Sequence, residues 1–294
     1  MGEKKISIFY FSGTGNTWWV GNQLAEALQQ VGFQARATSI EQLSNPAVAS
    51  QIEESDIVGL GYPIYGSDAP QVMKDFIRDL PVQKTTKPML IYITQMAWSG
   101  NGAYFMRHEI ERKGYSVRWA VHFNMPNNIG MDFSPLSSSP DYEKFQPQLE
   151  HRKQQAQKLA AKVAQNQKWI HSKNPAGWLS AWIQRGPFRI LHKWGQNRTW
   201  SVDPEKCTHC GRCERLCPAE NIQLVDGLPV FGDQCNYCLR CYNFCPEQAI
   251  IAFKRPFNPK RFGKKPFQGP VPQFRPEILI RKKEKPQDSY PGFQ

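Results

Sequence analysis

No cysteine occurs in the first 206 of the 294 residues. The chain also has no run approaching the ~20 consecutive apolar residues of a membrane-spanning helix. After Lys4 and Lys5 only a short, mostly apolar run precedes Ser12, less than the ~7–15 residues of a secretory signal. Position 6 is Ile6, so the glycine after Met1 lacks a myristoylation pattern. A cytoplasmic location is therefore the expectation. Two nucleotide motifs are missing as well. No lysine follows Gly15, as a Walker loop requires, and Trp18 stands where a dinucleotide fingerprint has its third glycine. What is present, 40% apolar and 21% charged residues, suits a globular chain long enough for two domains.

Charge is unevenly spread. From Lys254 onward the chain has 11 Lys/Arg against 3 Asp/Glu, whereas 200–253 has 4 against 7. An overall +12 thus combines an acidic island with a basic, Pro-rich tail over 256–294. Such a tail suits an anionic partner, nucleic acid or lipid, or a strap docked on an acidic surface.

All eight cysteines lie in two copies of C-x2-C-x2-C-x3-C-P, "CTHCGRCERLCP" and "CNYCLRCYNFCP". A disulfide framework would need an oxidising compartment, and zinc favours paired Cys-x2-Cys motifs separated by a longer finger. The repeat matches the run that binds iron–sulfur cubes. Three thiolates spaced by two residues can wrap three corners of one cube, and the fourth, before proline, serves the other. One set is then Cys207, Cys210, Cys213 and Cys245, the other Cys235, Cys238, Cys241 and Cys217. His209, inside the first block, reads as loop filler. The flanking segments suggest short helices, a strand pair across Asp226-Gly227 and a further strand. Residues 199–255 resemble an α+β two-cluster bacterial ferredoxin domain.

The N-terminal half alternates strands and helices, with "KKISIFYF", "FQARAT", "DIVGLGYP", "PMLIYITQ" and "SVRWAVHFNM" as five strands. Continuous apolar runs such as Met89–Ile93 suit strands covered on both faces, hence an α/β doubly wound parallel sheet. Helices are expected over 16–32, near 46–54, 69–80, 101–114 and 141–168. Ligands bind such sheets at the carboxyl ends of strands, where loops 12–17, 63–70 and 95–102 lie.

"SGTGNT" after a first strand resembles the phosphate loop of the flavodoxin family, and "YPIYGSDAP" and "TQMAWSGNGA" resemble its second and third loops. The whole chain resembles flavodoxin–ferredoxin fusion proteins. That resemblance implies strand order 2-1-3-4-5, FMN and two [4Fe-4S] clusters. It implies that Ser12, Gly13, Thr14, Gly15, Asn16 and Thr17 hold the phosphate. Pro63, Ile64, Tyr65 and Gly66 would border one edge of the flavin ring, and Met96, Ala97, Trp98, Ser99, Gly100 and Asn101 the other. Trp98 is expected to touch the ring, and Gly66 could flip its carbonyl toward it cheaply.

The domains expected are 1–168 for FMN, 169–198 as a Trp-rich interdomain segment, 199–255 for the clusters, and the tail. The Trp-rich segment could lie on a membrane surface, but filling the seam between domains is the expectation. Loop 125–140 could cover the flavin. The function implied is electron transfer, coupling two-electron and one-electron carriers for a partner ferredoxin, reductase or radical enzyme. Two alternatives are an FMN-dependent reductase of a small substrate and a membrane- or nucleic-acid-associated redox sensor.

Overall fold

The computed structural model describes residues 3–129, 142–171, 175–258 and 266–281. Strands β1 (Lys5–Tyr10), β2 (Gln34–Ser39), β3 (Ile57–Pro63), β4 (Lys87–Gln95) and β5 (Tyr115–Asn124) pair in parallel in the order 2-1-3-4-5. A sixth strand, β6 (Trp169–Ile170), extends the sheet in parallel beyond β5. Two residues carry no periodicity, so nothing in the sequence marks them. Flanking bonds seat the strand: the Trp119 indole donates to Gln167 O at 2.7 Å, and His171 N–H to Ala120 O at 2.9 Å.

Both faces of the sheet are covered, which is why β3 and β4 are buried almost end to end. On one face α1 (Asn16–Gln30) and α5 (Tyr142–Ala164) bury Val20, Leu24, Leu28, Leu149, Ala156, Leu159 and Val163 against Tyr92, Trp119 and Val121. On the other, α2 (Asn45–Glu54), α3 (Gln71–Asp79) and α4 (Arg107–Glu111) bury Ile52, Met73, Ile77 and Ile110 against Phe9, Leu60 and Ile91. Helix α4 is shorter than the 101–114 its sequence suggests. Turn bonds from Gly102 N–H to Ser99 O and from Tyr104 N–H to Asn101 O take its first residues.

Helix α6 (Pro175–Thr199) follows, and its first two tryptophans depart from the expectation of a filled seam. Trp178 and Trp182 face outward, Trp182 at 73% exposure. The helix seats its small and polar side instead: Ala181 and Arg185 are buried, and Arg185 donates to Ser67 O and Asn101 Oδ1. Among the described side chains of this stretch, Trp200 enters a core with Tyr237, Tyr242 and Phe257, and Trp169 packs against the core under α1 and α5.

That core belongs to a small C-terminal lobe. Strand β7 (Trp200–Val202) pairs antiparallel with β10 (Ile250–Ala252), and β8 (Ile222–Val225) with β9 (Leu228–Phe231). Asp226 (φ 50°) and Gly227 (φ 80°) turn the latter hairpin; positive φ at both centres suits the twist of a two-residue connection. Two single-turn helices, α7 (Arg212–Arg215) and α8 (Arg240–Asn243), sit in corresponding places of the two cysteine blocks.

Residues 266–281 strap the lobes together. Phe274 packs on Trp18 (ring centroids 5.2 Å apart) and on Phe244 (5.9 Å), one from each domain. Glu277 pairs with Arg212 at 2.8 Å, and Ile278 O accepts from Gln42. The strap thus fills the place at Trp18 that a dinucleotide loop would give to glycine. The remainder of the tail, 259–265 and 282–294, and loop residues 130–141 lie outside the described residues.

Candidate functional site

Loop 12–17 joins β1 to α1 at the carboxyl edge of the sheet. Gly15 takes φ 101°, a left-handed conformation that costs glycine little. Its N–H and that of Trp18 both donate to Ser12 Oγ at 3.2 Å. The hydroxyl of Ser12 therefore shapes the loop from within. Thr17 Oγ1 bonds Thr94 Oγ1 at 2.8 Å, which ties the start of α1 to β4.

Ser12, Gly13, Thr14, Asn16 and Thr17 line a cavity of about 460 Å³ with Pro63, Ile64, Tyr65, Gly66 and Met96. This volume is in the range of sites for one drug-sized ligand. Gly15, Ala97, Trp98, Ser99, Gly100 and Asn101 do not line it. Gly15 is turned to Pro270 and Phe274 of the strap, Gly100 and Asn101 hold α6, and Trp98 is 54% exposed. Trp98 thus stands outside the cavity lining.

The cavity has further walls, one from the start of loop 125–140 and one from the C-terminal lobe, the second of which carries no flavin-loop motif. Pro126, Asn127, Asn128 and Ile129 close it from the start of the loop after β5. Asn16 donates to Pro126 O at 2.9 Å, and Asn128 to Thr14 Oγ1 at 2.8 Å. Tyr237, Leu239, Phe253 and Arg255 come from the C-terminal lobe, so the site is shared by two domains. Arg255 is the cation among the described lining residues. Two buried polar atoms in the lining, Asn16 Oδ1 and Tyr65 Oη, have no hydrogen-bond partner among the described residues. Leaving such groups unpaired costs about 1–3 kcal/mol each. Their chemistry fits a polar ligand such as a flavin nucleotide.

None of the eight cysteines is in a disulfide, and they fall into two sets. Cys207, Cys210, Cys213 and Cys245 line one small cavity; Cys217, Cys235, Cys238 and Cys241 line another. The fourth member of each set comes from the other block. Backbone N–H groups of Asn221, Tyr237 and Ala249 donate to the sulfurs of Cys217, Cys235 and Cys245, each at 3.3 Å. Among the described residues no three His, Cys, Asp or Glu side chains could hold a metal ion, whereas a cubane spreads four thiolates wider around its own volume. Burial pushes the Cys213 thiol up to about 11 and Cys238 up to about 12, so ligating iron would release protons from them. His209 packs on Gly227 at the hairpin turn.

One residue fastens the second set to the nucleotide loop. Arg240 lies between Cys238 and Cys241 and is fully buried. Its guanidinium donates to Ser12 O at 2.6 Å, Gly13 O at 3.0 Å and Leu216 O at 3.3 Å, and pairs with both oxygens of Glu41. Burial alone would disfavour the charge, but Glu41 outweighs it and holds the arginine above its ordinary value. Gly13 has a steric reason: a β-carbon there would collide with the Cys238 carbonyl and crowd Tyr65 Oη.

Comparison with known proteins agrees with this division. A family model described as Flavodoxin matches residues 8–118, and one described as a 4Fe-4S binding domain matches 200–223. This chain joins a flavodoxin domain to a 4Fe-4S domain. The flavodoxin of Megasphaera elsdenii is 28% identical over 126 residues, which is 42% of this chain and 89% of that protein. A putative diflavin flavoprotein A 2 of Thermosynechococcus vestitus is 23% identical over 144 residues, 49% of this chain; the chain spans only 23% of that relative. Among solved structures, the two-electron reduced M. elsdenii flavodoxin aligns with a TM-score of 0.37 at 24% identity, covering 52% of this chain and 98% of that one. Rubredoxin:oxygen oxidoreductase of Desulfovibrio gigas aligns at 0.40 and 16%, covering 56% and 37%.

The flavodoxin domain implies FMN, and the 4Fe-4S domain at least one cluster. The two together support an electron-transfer flavoprotein. No helix among the described residues is long and apolar enough to cross a membrane.

Proposed function

We propose that the chain arranges three redox sites in a row and so couples two-electron carriers to one-electron carriers. The observation that carries this is Leu239. It lines both the flavin-sized cavity and the cavity of Cys217, Cys235, Cys238 and Cys241. One buried side chain therefore separates the first site from the second. On this reading the set of Cys207, Cys210, Cys213 and Cys245 is third and holds a second cluster. FMN exchanges electrons singly or in pairs and a 4Fe-4S cluster exchanges one, which is the chemistry the groups would supply.

The residues of the chain bind, orient and exclude water. Thr14, Asn16 and Thr17 present polar groups to the cavity, Arg255 gives a cation, and Asn128 holds Thr14 in place. Tyr65 and Gly66 form a tight turn in which Tyr65 and Asp68 exchange backbone bonds. Arg240 holds the loop against the second site. Exposed Cys210 opens the third site toward solvent, whereas Cys238 is buried, so an outside protein carrier would exchange electrons there.

Anaerobic preparation with iron, sulfide and flavin analysis tests the inventory, with two cubane clusters and one FMN per chain expected. Cys238→Ser should sever flavin reduction from reduction of the remaining cluster. Cys210→Ser should leave the flavin coupled to the cluster beside it. The reverse order, or far fewer than two clusters, would refute the arrangement. The alternative reading, a reductase of a small substrate, draws on the wall of residues 126–129. The described lining of the cavity supplies little acid–base chemistry: the titratable groups there are Tyr65 and Tyr237, whose phenols burial raises, and Arg255.

A further inference from the structure

Helix α6 is built inside out. Its seated side is small and polar: Gly177, Ser180 and Ala181 pack on Gly100, Gln184 accepts from Ser67, and Arg185 bonds Ser67 O and Asn101. The opposite side carries Trp178, Leu179, Trp182, Ile183 and Ile190, exposed by 40–73%. These positions follow i, i+1, i+4, i+5 and i+12, a single helical stripe. Loop 95–102, on which α6 sits, adds exposed Met96 and Trp98. Scattered exposed apolar residues need no explanation, but an aligned stripe marks an interaction surface.

Charge identifies its occupant. From His151 to Val202 the sequence contains ten Lys/Arg and no Asp or Glu. Lys158 and Lys162 of α5 stand over the Trp169 ring at 5.7 and 5.8 Å, at the same edge of the sheet from which α6 departs. A second copy of this chain on the stripe would set one acid-free stretch against another. An anionic bilayer satisfies both features: Trp and Ile enter the headgroup–acyl boundary while Lys and Arg meet acidic headgroups. We propose that α6 is an interfacial helix that rests this chain on anionic membrane surfaces without crossing them. This goes beyond electron transfer and does not depend on it.

The test uses the full, cofactor-loaded chain with vesicles of phosphatidylcholine alone or mixed with phosphatidylglycerol, near physiological ionic strength. Sedimentation should show binding to the anionic vesicles at least roughly tenfold tighter than to the neutral ones, weakening as salt screens the headgroups. Tryptophan emission should shift to the blue on binding. Trp182→Glu with Ile183→Glu should reduce binding by roughly tenfold or more, with visible absorption of the cofactors unchanged. Three results would overturn the proposal. The chain could stay in solution with anionic vesicles, or the double variant could bind undiminished, which would assign binding to the basic tail. Or the stripe could mediate self-association or binding of an acidic protein that the variant abolishes, without affinity for lipid.

Discussion

Replacing Arg240 by Met tests whether the two domains are one mechanical unit. The guanidinium is fully buried, and its partners are Ser12 O, Gly13 O, Leu216 O and the Glu41 carboxylate, itself only 10% exposed. Met conserves much of the volume, so packing loss is small. The cost comes from Glu41, left buried without its cation, and from two loop carbonyls that lose charged donors. Removing one partner of a buried pair costs about 3–5 kcal/mol. Glu41→Gln in the same chain should recover part of it, and a double-mutant cycle should return a coupling of about 2 kcal/mol or more. Arg240→Lys keeps the charge but cannot reach both carbonyls and both carboxylate oxygens at once, so it should fall between. The assay is anaerobic urea unfolding followed separately by flavin fluorescence and cluster absorption. The native chain should give coincident transitions and Arg240→Met separated ones. A loss below about 1 kcal/mol, with transitions still coincident, would refute the fastening role of Arg240.

Gly13→Ala should push the Cys238 carbonyl off the nucleotide loop at a cost of about 1–3 kcal/mol, read as weaker flavin retention in the same unfolding series. Phe274→Ala should cost about 3–5 kcal/mol, because its ring is 1% exposed and packs on both domains; urea midpoints check it. His122 accepts from Ala103 N–H and faces His171, which accepts from His122 N–H. Burial first, and His171 second, lower His122 to about 4. The unfolded chain, titrating near 6.5, then binds the extra proton between pH 6.5 and 4. Stability is therefore full above pH 6.5 and falls by up to ~3 kcal/mol on acidification to pH 4. His122→Gln should flatten that slope, and an unchanged slope would disprove it.

Much of the fold was legible because its signals are local. Buried parallel strands read as unbroken apolar runs, and α5 carries its core residues at helical spacing. The cysteine blocks are legible for the same reason: ligand spacing is a property of one loop. What stayed hidden depends on partners distant in sequence. Arg240 looks like any surface arginine until Glu41 and the carbonyls of residues 12 and 13 surround it. Leu239, Tyr237 and Arg255 reach the flavin-sized cavity from another domain, and no motif of a flavin loop contains them. Trp98 is the converse case. A tryptophan in a Gly/Ser loop at a strand's end suggests ring stacking, but here α6 occupies that loop and leaves the indole in solvent.

The form of the junction bears on why the sites share one chain. Two separate proteins could meet transiently and pass electrons across a wet, reorienting interface. Here the contact is buried: Arg240 is enclosed, Gly13 is bare to admit the Cys238 carbonyl, and Phe274 is inserted between Trp18 and Phe244. On the proposed arrangement, such a junction would hold the first and second sites together. It also removes the nucleotide loop's outer side from any competing partner. Exchange with other proteins must then happen elsewhere. The 4Fe-4S domain offers one exit at exposed Cys210, within the acidic segment 200–253. Its charge favours a basic partner, opposite in sign to the acid-free stretch around α6. On this reading the chain is polar along its length, with a cationic, apolar side near the flavin loops and an acidic outlet beyond the clusters.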